Sequence, residues 1–450
     1  MSYPTLAMPT LHPSPATKEP SSGVLSRIAQ KAVGSMGLKI FSLAIALVTN
    51  VLLTRTLGAE EYGVYVYALT WIEFLTIPAA LGLPEYLVRE VAKYQAQSQW
   101  RLLRGILHWS NQTAFGLAVA IAILAASVSW SLLATINLGV LFVFWAALIT
   151  LPLDVLTRLR QAVMRGLDRV VIGEFPELLI RPVLFLIGLG GLVFLWPDRI
   201  GALWVMGVYV GVVAIAFMIG SGLMRWFIPS PAKRETPAYQ RKLWLKETLP
   251  FLLIVAAFVV NQQTDVLMLG FLQGTASAGI YTVACRGAQL IQFALMAVSA
   301  ATGPTIASLY AVQDTRQLRY VLRGSSRMLA LATTAIALAL ILFGSWFLLI
   351  FGHEFVWGHP ALMILSLGYV IDAPLGALAG LLLLMTGHER DTALGTGIAA
   401  LLNVLLNALL IPPLGMQGAA IATATTMIVR GLYFAACSYR KFGIIPNPIA

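Results

Sequence analysis

Apolar residues fall in long uninterrupted runs, neither alternating nor clustering into one face of a short helix. Runs long enough to cross a ~30 Å hydrocarbon layer at 1.5 Å per residue recur twelve times. They cover residues 35–57, 62–83, 108–131, 136–157, 171–195, 201–224, 249–272, 276–301, 328–350, 360–385, 392–411 and 415–437. The pattern predicts an all-α polytopic membrane protein with both ends on one side. Residues 1–22, rich in Pro, Ser and Thr and lacking an apolar core, read as a disordered cytoplasmic tail.

The basic residues test the count independently. Of 30 Lys and Arg, 25 fall in the tails, the start of the first run and the even-numbered loops, from Lys18 to Lys441, and only Arg55 and Arg199 fall in odd-numbered loops. Arg181, Arg286 and Arg430 lie inside apolar runs. The alternation predicts cytoplasmic termini. It also explains the net charge of +11 without nucleic acid as a partner.

Composition agrees: 59% of the 450 residues are hydrophobic, 11% are charged and the mean hydropathy is +0.83, which excludes a soluble globular protein. No loop is large enough to be a catalytic domain; the longest, 225–248, reads as a linker between six-helix lobes at 23–224 and 249–450. Cys285 and Cys437 lie far apart in apolar runs and form no CxxC site. His353, Glu354 and His359 lack the spacing that sets two imidazoles on one helical face, so neither metal nor cofactor is expected.

Two segments repeat. LTRTLGAEEYGVYVYA (53–68) and LGFLQGTASAGIYTVA (269–284) match at an offset of 216, pairing Leu53 with Leu269, Gly58 with Gly274, Gly63 with Gly279, Tyr65 with Tyr281 and Ala68 with Ala284. That offset spans six crossings, so the halves share one orientation, are related by an axis along the membrane normal and enclose a cavity, which is transporter architecture. Pro78, Pro176, Pro182, Pro304 and Pro374 inside spans are expected to bend helices. Gly207 with Gly211, and Gly376 with Gly380, form GxxxG pairs suited to close helix packing.

Ionisable groups in hydrocarbon demand partners or a cavity. Asn261 and Asp265 share a helical face in the seventh span, and Arg286 and Gln289 answer from the eighth. By helical rise Asp265 and Arg286 lie at similar depths, which allows an ion pair between them. Glu177 and Arg181, at i and i+4, are set to neutralise one another. Arg181 and Arg286 serve either as structural partners or as anion receptors. Lys39 either snorkels or faces the cavity. Asn50 and Glu73 add polarity in the first two spans, and Asp372, two residues before Pro374, is a candidate cation or proton site.

These residues resemble a known family, the polysaccharide transporters of the multidrug/oligosaccharidyl-lipid/polysaccharide exporter superfamily, which includes O-antigen-type flippases. LLTRTLGAEEYGVYVYALT (52–70) is similar to the family's first turn, and Asp265, Leu269, Gly270, Gly279, Tyr281, Ala284 and Arg286 to its repeat. GPTIASLYAVQDTRQL (303–318) resembles the end of the eighth helix with its amphipathic extension. LLNVLLNALLIPPLGMQGAAIATA (401–424) resembles the last hairpin, through Asn403, Asn407, Pro412, Gly415 and Gly418. The resemblance implies a V-shaped pair of six-helix bundles flipping an undecaprenyl-diphosphate-linked glycan for surface polysaccharide such as lipopolysaccharide. A polysaccharide polymerase and a chain-length regulator are candidate partners beside the lipid bilayer.

On this reading Arg286, Arg181, Lys39, Asn261, Gln289 and Asn50 are candidate substrate ligands, and Asp265, Asp372 and Glu73 candidates for ion coupling or ion pairing. A drug/cation antiporter of the same superfamily is the alternative and favours carboxylates over arginines in the cavity. A membrane-embedded glycan enzyme needs the catalytic loop that the chain lacks.

Overall fold

The computed structural model describes residues 22–131, 137–196 and 200–444, and within them every side chain except those of 22–36, 39 and 40. The proposed tail over 1–22 therefore lies almost wholly outside the described residues. The helices are α1 (Ser22–Ala80), α2 (Leu83–Ala96), α3 (Trp100–Ser131), α4 (Leu138–Leu148), α5 (Thr150–Gly166), α6 (Val170–Phe175), α7 (Arg181–Leu195), α8 (Ala202–Phe227) and α9 (Ser230–Arg234). The second half adds α10 (Arg241–Leu272), α11 (Thr275–Ala311), α12 (Thr315–Phe351), α13 (His359–Asp372), α14 (Leu378–Met385) and α15 (Glu389–Phe442).

Among the described residues ten helical stretches are long and apolar enough to cross a membrane, and two of them contain a reversal. α1 is broken at Gly58, with φ 69° and ψ 178°, and α15 at Gly415, with φ 54° and ψ −130°, values open to glycine and strained for other residues. Side chains prove the reversals. Tyr62 donates to Asn50 Oδ1 at 3.2 Å, although twelve helical residues would separate them by about 18 Å. Asn403 likewise reaches Thr423 Oγ1 at 3.5 Å, over twenty residues that would span about 30 Å. Ten stretches with two reversals are consistent with the twelve crossings that hydropathy predicts.

Boundaries shift where polar residues sit inside a helix. The run 136–157 is only part of α4 and α5, which continue to Gly166 and so carry Arg158 and Arg160 along the helix instead of in a loop. π-helical turns at Pro176–Ile180 and Ala373–Ala377 mark Pro176 and Pro374, where the missing N–H breaks the α ladder. Exposed Trp130, Trp196, Trp204 and Trp357 stand at the ends opposite the basic loops, as interfacial anchors do.

α1, α3, α5, α7 and α8 pack into one bundle and α10 to α15 into the other, and α1 meets α10 and α11 between them. The glycine pairs divide. Gly376 abuts Gly431, and Gly380 abuts Phe434, whereas a Cβ on Gly207 or Gly211 would meet no neighbour. The connection between the halves is strapped to the first bundle. The Ala238 N–H donates to the Arg101 carbonyl at 2.9 Å, and Arg104 Nη1 donates to the carbonyls of Lys233 and Glu235 at 2.7 and 2.6 Å. Trp244 is fully buried, its ring 5.3 Å from that of Trp109 and its Nε1 donating to Tyr94 at 3.1 Å.

Candidate functional site: a cleft between the halves

A cavity of about 470 Å3 opens between the bundles. α1 supplies Asn50, Tyr62, Tyr65, Thr70 and Glu73 because its break at Gly58 turns both arms toward the interface. α5 adds Asp154, α8 adds Tyr209, and Glu177 and Arg181 flank the π-helical turn. The second half supplies Gln263 and Val266 from α10 and Thr282 and Arg286 from α11. An adjoining space of about 290 Å3, sharing Glu73, Asp154, Glu177 and Arg181, leads toward Glu85 and Arg165 on the basic side.

The first-half wall is an acid–base network. Arg181 Nη1 lies 3.1 Å from both Asp154 Oδ1 and Glu177 Oε2, its Nη2 bonds to the Tyr209 hydroxyl, and its guanidinium sits 4.9 Å from the Tyr209 ring centroid. Arg160 Nη2 lies 3.1 Å from Glu177 Oε1, and Arg158 Nη2 donates to both Glu73 oxygens at 2.8 and 2.7 Å. Three arginines thus face three carboxylates, and the wall is neutral. Burying such charges is tolerable only because each is paired.

The second-half wall differs. Arg286 is exposed to the cavity and makes no ion pair with any described residue. Asp265 stays buried behind it, accepting from the Tyr281 hydroxyl at 2.8 Å, the Thr423 hydroxyl at 3.3 Å and the Val266 N–H at 2.8 Å. Asn407 Nδ2 bonds Asn403 Oδ1 at 3.0 Å, and Asn403 Nδ2 approaches Thr423, so a carboxylate, a hydroxyl and two amides cluster inside the second bundle.

Against this geometry, a model of the polysaccharide biosynthesis protein family matches residues 28–310, well over half the chain. The chain belongs to that family. A MatE model matches residues 250–409. The succinoglycan biosynthesis transport protein ExoT of Rhizobium meliloti is 26% identical over 382 residues, covering 81% of this chain and 68% of that protein. The probable flippase AglR of Haloferax volcanii is 32% identical over 169 residues, 36% of this chain and 35% of that protein.

The fold is shared with a multidrug resistance MATE family transporter in an inward-facing conformation, with a TM-score of 0.72, 13% identity and coverage of 92% and 98% of the two chains. Lipid II flippase MurJ in an inward closed conformation is similar at a TM-score of 0.71 and 14% identity, over 90% of this chain and 87% of that one. The protein is therefore a polytopic transporter of the multidrug/oligosaccharidyl-lipid/polysaccharide exporter superfamily.

Within this polysaccharide-family transporter, the residues singled out from sequence divide. Arg286, Arg181, Asn50 and Glu73 line the cavity. The pair that depth allowed between Asp265 and Arg286 does not form, because Tyr281 and Thr423 hold the carboxylate inside the second bundle. Asn261 is turned away from the cavity, its Nδ2 donating to the carbonyls of Ala257 and Thr396 at 2.8 and 3.1 Å, and Gln263 lines the space instead. Gln289, one turn beyond Arg286, does not line the cavity either. Asp372 is buried and paired with Arg430 at 3.1 Å. The Lys39 side chain lies outside those described. The i, i+4 pairing of Glu177 and Arg181 does form.

Sequence reasoning missed Asp154, Tyr65 and Tyr209 and assigned Arg158 and Arg160 to a loop. Asp154 and Arg158 stand at i and i+4, a signal that the helix carries its charges on one face beyond the apolar run.

Proposed function

We propose that this transporter flips an undecaprenyl-diphosphate-linked oligosaccharide from the cytoplasmic to the periplasmic leaflet of the bacterial inner membrane by alternating access, for surface polysaccharide assembly of the O-antigen kind. The supporting observation is Arg286: a permanently charged guanidinium, unpaired among the described residues, in a cavity whose other arginines are neutralised. Such a group donates bidentately to phosphate oxygens, and the prenyl chain stays in lipid while the head enters the cleft. The names of the two relatives, a succinoglycan transport protein and a probable flippase, favour the same cargo class. The basic loops and both termini face the cytoplasm on this reading, and a polymerase and a chain-length regulator act next on the flipped glycan.

The antiporter reading needs an unpaired carboxylate in the cavity. Glu73, Asp154 and Glu177 are each paired, which argues against it. The oxygen-rich cluster around Asp265 is where ion coupling, if the cycle uses it, has suitable ligands.

The test is a leaflet-resolved assay of lipid-linked glycan in cells carrying Arg286→Ala or Arg286→Lys. Alanine is expected to trap glycan on the cytoplasmic leaflet, and lysine to restore part of the flow because a point charge lacks the bidentate fork. Normal flipping by the alanine variant would overturn the assignment.

A further inference from the structure

The internal repeat runs further than the turns. Arg101, Leu103, Arg104, Leu107 and Ser110 at the start of α3 return 215 residues later as Arg316, Leu318, Arg319, Leu322 and Ser325 at the start of α12. Ser98 and Gln313, in the turns that precede them, both have φ 56°. The leucines are buried in both halves. The outward faces differ.

On α3 that face holds the strap between the halves. A Cβ on Gly105 would lie 1.7 Å from the Ala238 carbonyl oxygen, so the strap's backbone fits only against glycine. On α12 the equivalent of Gly105 is Tyr320, 81% exposed, and the equivalent of His108 is Arg323. The face is barred to a peptide strap of this kind and has gained a cation. Arg316, Arg319 and Arg323 are exposed and make no ion pair among the described residues, whereas Arg104 on α3 is occupied by two carbonyls.

Depth supplies the ligand. α12 has 37 residues, about 55 Å of helix, against a hydrocarbon layer of ~30 Å. Its exposed side chains follow one face by helical spacing, from Arg316, Tyr320 and Arg323 to Leu331, Leu338 and Leu342. The leucines face lipid, so the same face changes from leucine to arginine as it leaves the hydrocarbon, with a tyrosine at the level where aromatic residues meet headgroups.

We propose that this face of α12 is a binding site for anionic phospholipid headgroups of the bilayer leaflet on the basic side, with Arg316, Arg319 and Arg323 holding the phosphates. It lies apart from the cleft and does not depend on the identity of the cargo.

The test uses the full-length protein in vesicles. Cys285 and Cys437 are replaced and a donor fluorophore is attached through Gly324→Cys, where added atoms meet no neighbour. Energy transfer is compared for acyl-chain-labelled phosphatidylglycerol and phosphatidylcholine. Transfer to phosphatidylglycerol is expected to dominate, each arginine contributing about fivefold to local enrichment. The preference should vanish in the Arg316→Gln, Arg319→Gln, Arg323→Gln variant and fall partway in Arg323→Gln alone, which guards against misfolding of the triple variant. Equal transfer to both lipids in the unmodified face, or a preference surviving the triple substitution, would overturn the proposal. Displacement of phosphatidylglycerol by added undecaprenyl diphosphate, but not by excess unlabelled phosphatidylglycerol, would assign the face to cargo instead.

Discussion

Gly63 and Gly279 touch: a Cβ on Gly279 would lie 2.8 Å from the Gly63 Cα, and one on Gly63 would lie 2.0 Å from the Thr275 carbonyl oxygen. They are equivalent positions in the two halves, 216 residues apart. Equivalent residues that touch lie on the axis relating the halves, so the pseudo-twofold passes through this contact at the end opposite the basic loops.

Adding a side chain there must spread the bundles. Gly63→Val or Gly279→Val is expected to cost about 1–3 kcal/mol in the present arrangement through overpacking, and to populate forms separated at that end. Paired spin labels near residues 60 and 277 would report longer distances; an unchanged distance distribution would refute the contact's role.

Beside the axis, Arg55 donates from Nε and Nη2 to the carbonyls of Ile350 and Leu349 at 2.8 Å each, and Glu354 accepts from the Ala59 N–H at 2.7 Å. Each half thus caps a helix end of the other, a carboxylate at an N-terminus and a guanidinium at a C-terminus. Arg55→Ala with Glu354→Ala should raise severalfold the rate at which Thr70→Cys, in the cavity, is labelled from that side by a membrane-impermeant thiol reagent. No increase would mean that the caps do not hold the halves together.

Arg160 and Arg286 should separate stability from transport. Arg160 is 3% exposed, and its loss leaves Glu177 short of a partner inside the bundle, so Arg160→Ala is expected to destabilise by about 3–5 kcal/mol. Gly220→Ala should act alike, because its Cβ would meet the Arg160 guanidinium. Arg286→Ala, lacking an ion-pair partner among the described residues, should melt with the unmodified protein and fail only in flipping. Thermal unfolding in detergent beside the leaflet assay checks both, and a melting loss in Arg286→Ala would show a structural role.

Asp265→Ala should not rescue Arg286→Ala, because Asp265 is bonded to Tyr281 and Thr423 and not to the arginine. Recovery of surface glycan in the double variant would show that the two groups pair in another state of the cycle.

Orientation is tested by Gln240→Cys in a cysteine-free background. With the basic loops in the cytoplasm, an impermeant reagent outside intact cells should leave it unlabelled. Labelling there would invert the topology and the direction of transport proposed above.

Hydropathy and charge along the chain determined the polytopic all-α architecture and the side that carries the basic loops, because the membrane imposes those requirements on each segment separately. The pairing of Glu177 with Arg181 was legible for the same reason: i and i+4 on one helix meet whatever surrounds them. The partners of Glu73, Arg160 and Asp265 were not. Glu73 meets Arg158 from 85 residues away, and Asp265 meets Thr423 from 158 away. A depth estimate gives the height of Asp265 and Arg286 but not the rotation of either helix. Burial of Leu269 on α10 and of Val283, Ala284 and Gly287 on α11 sets those rotations, turning Asp265 into the bundle and Arg286 into the cleft. Only packing of the bundles decided that Arg286 is left without an ion-pair partner among the described residues.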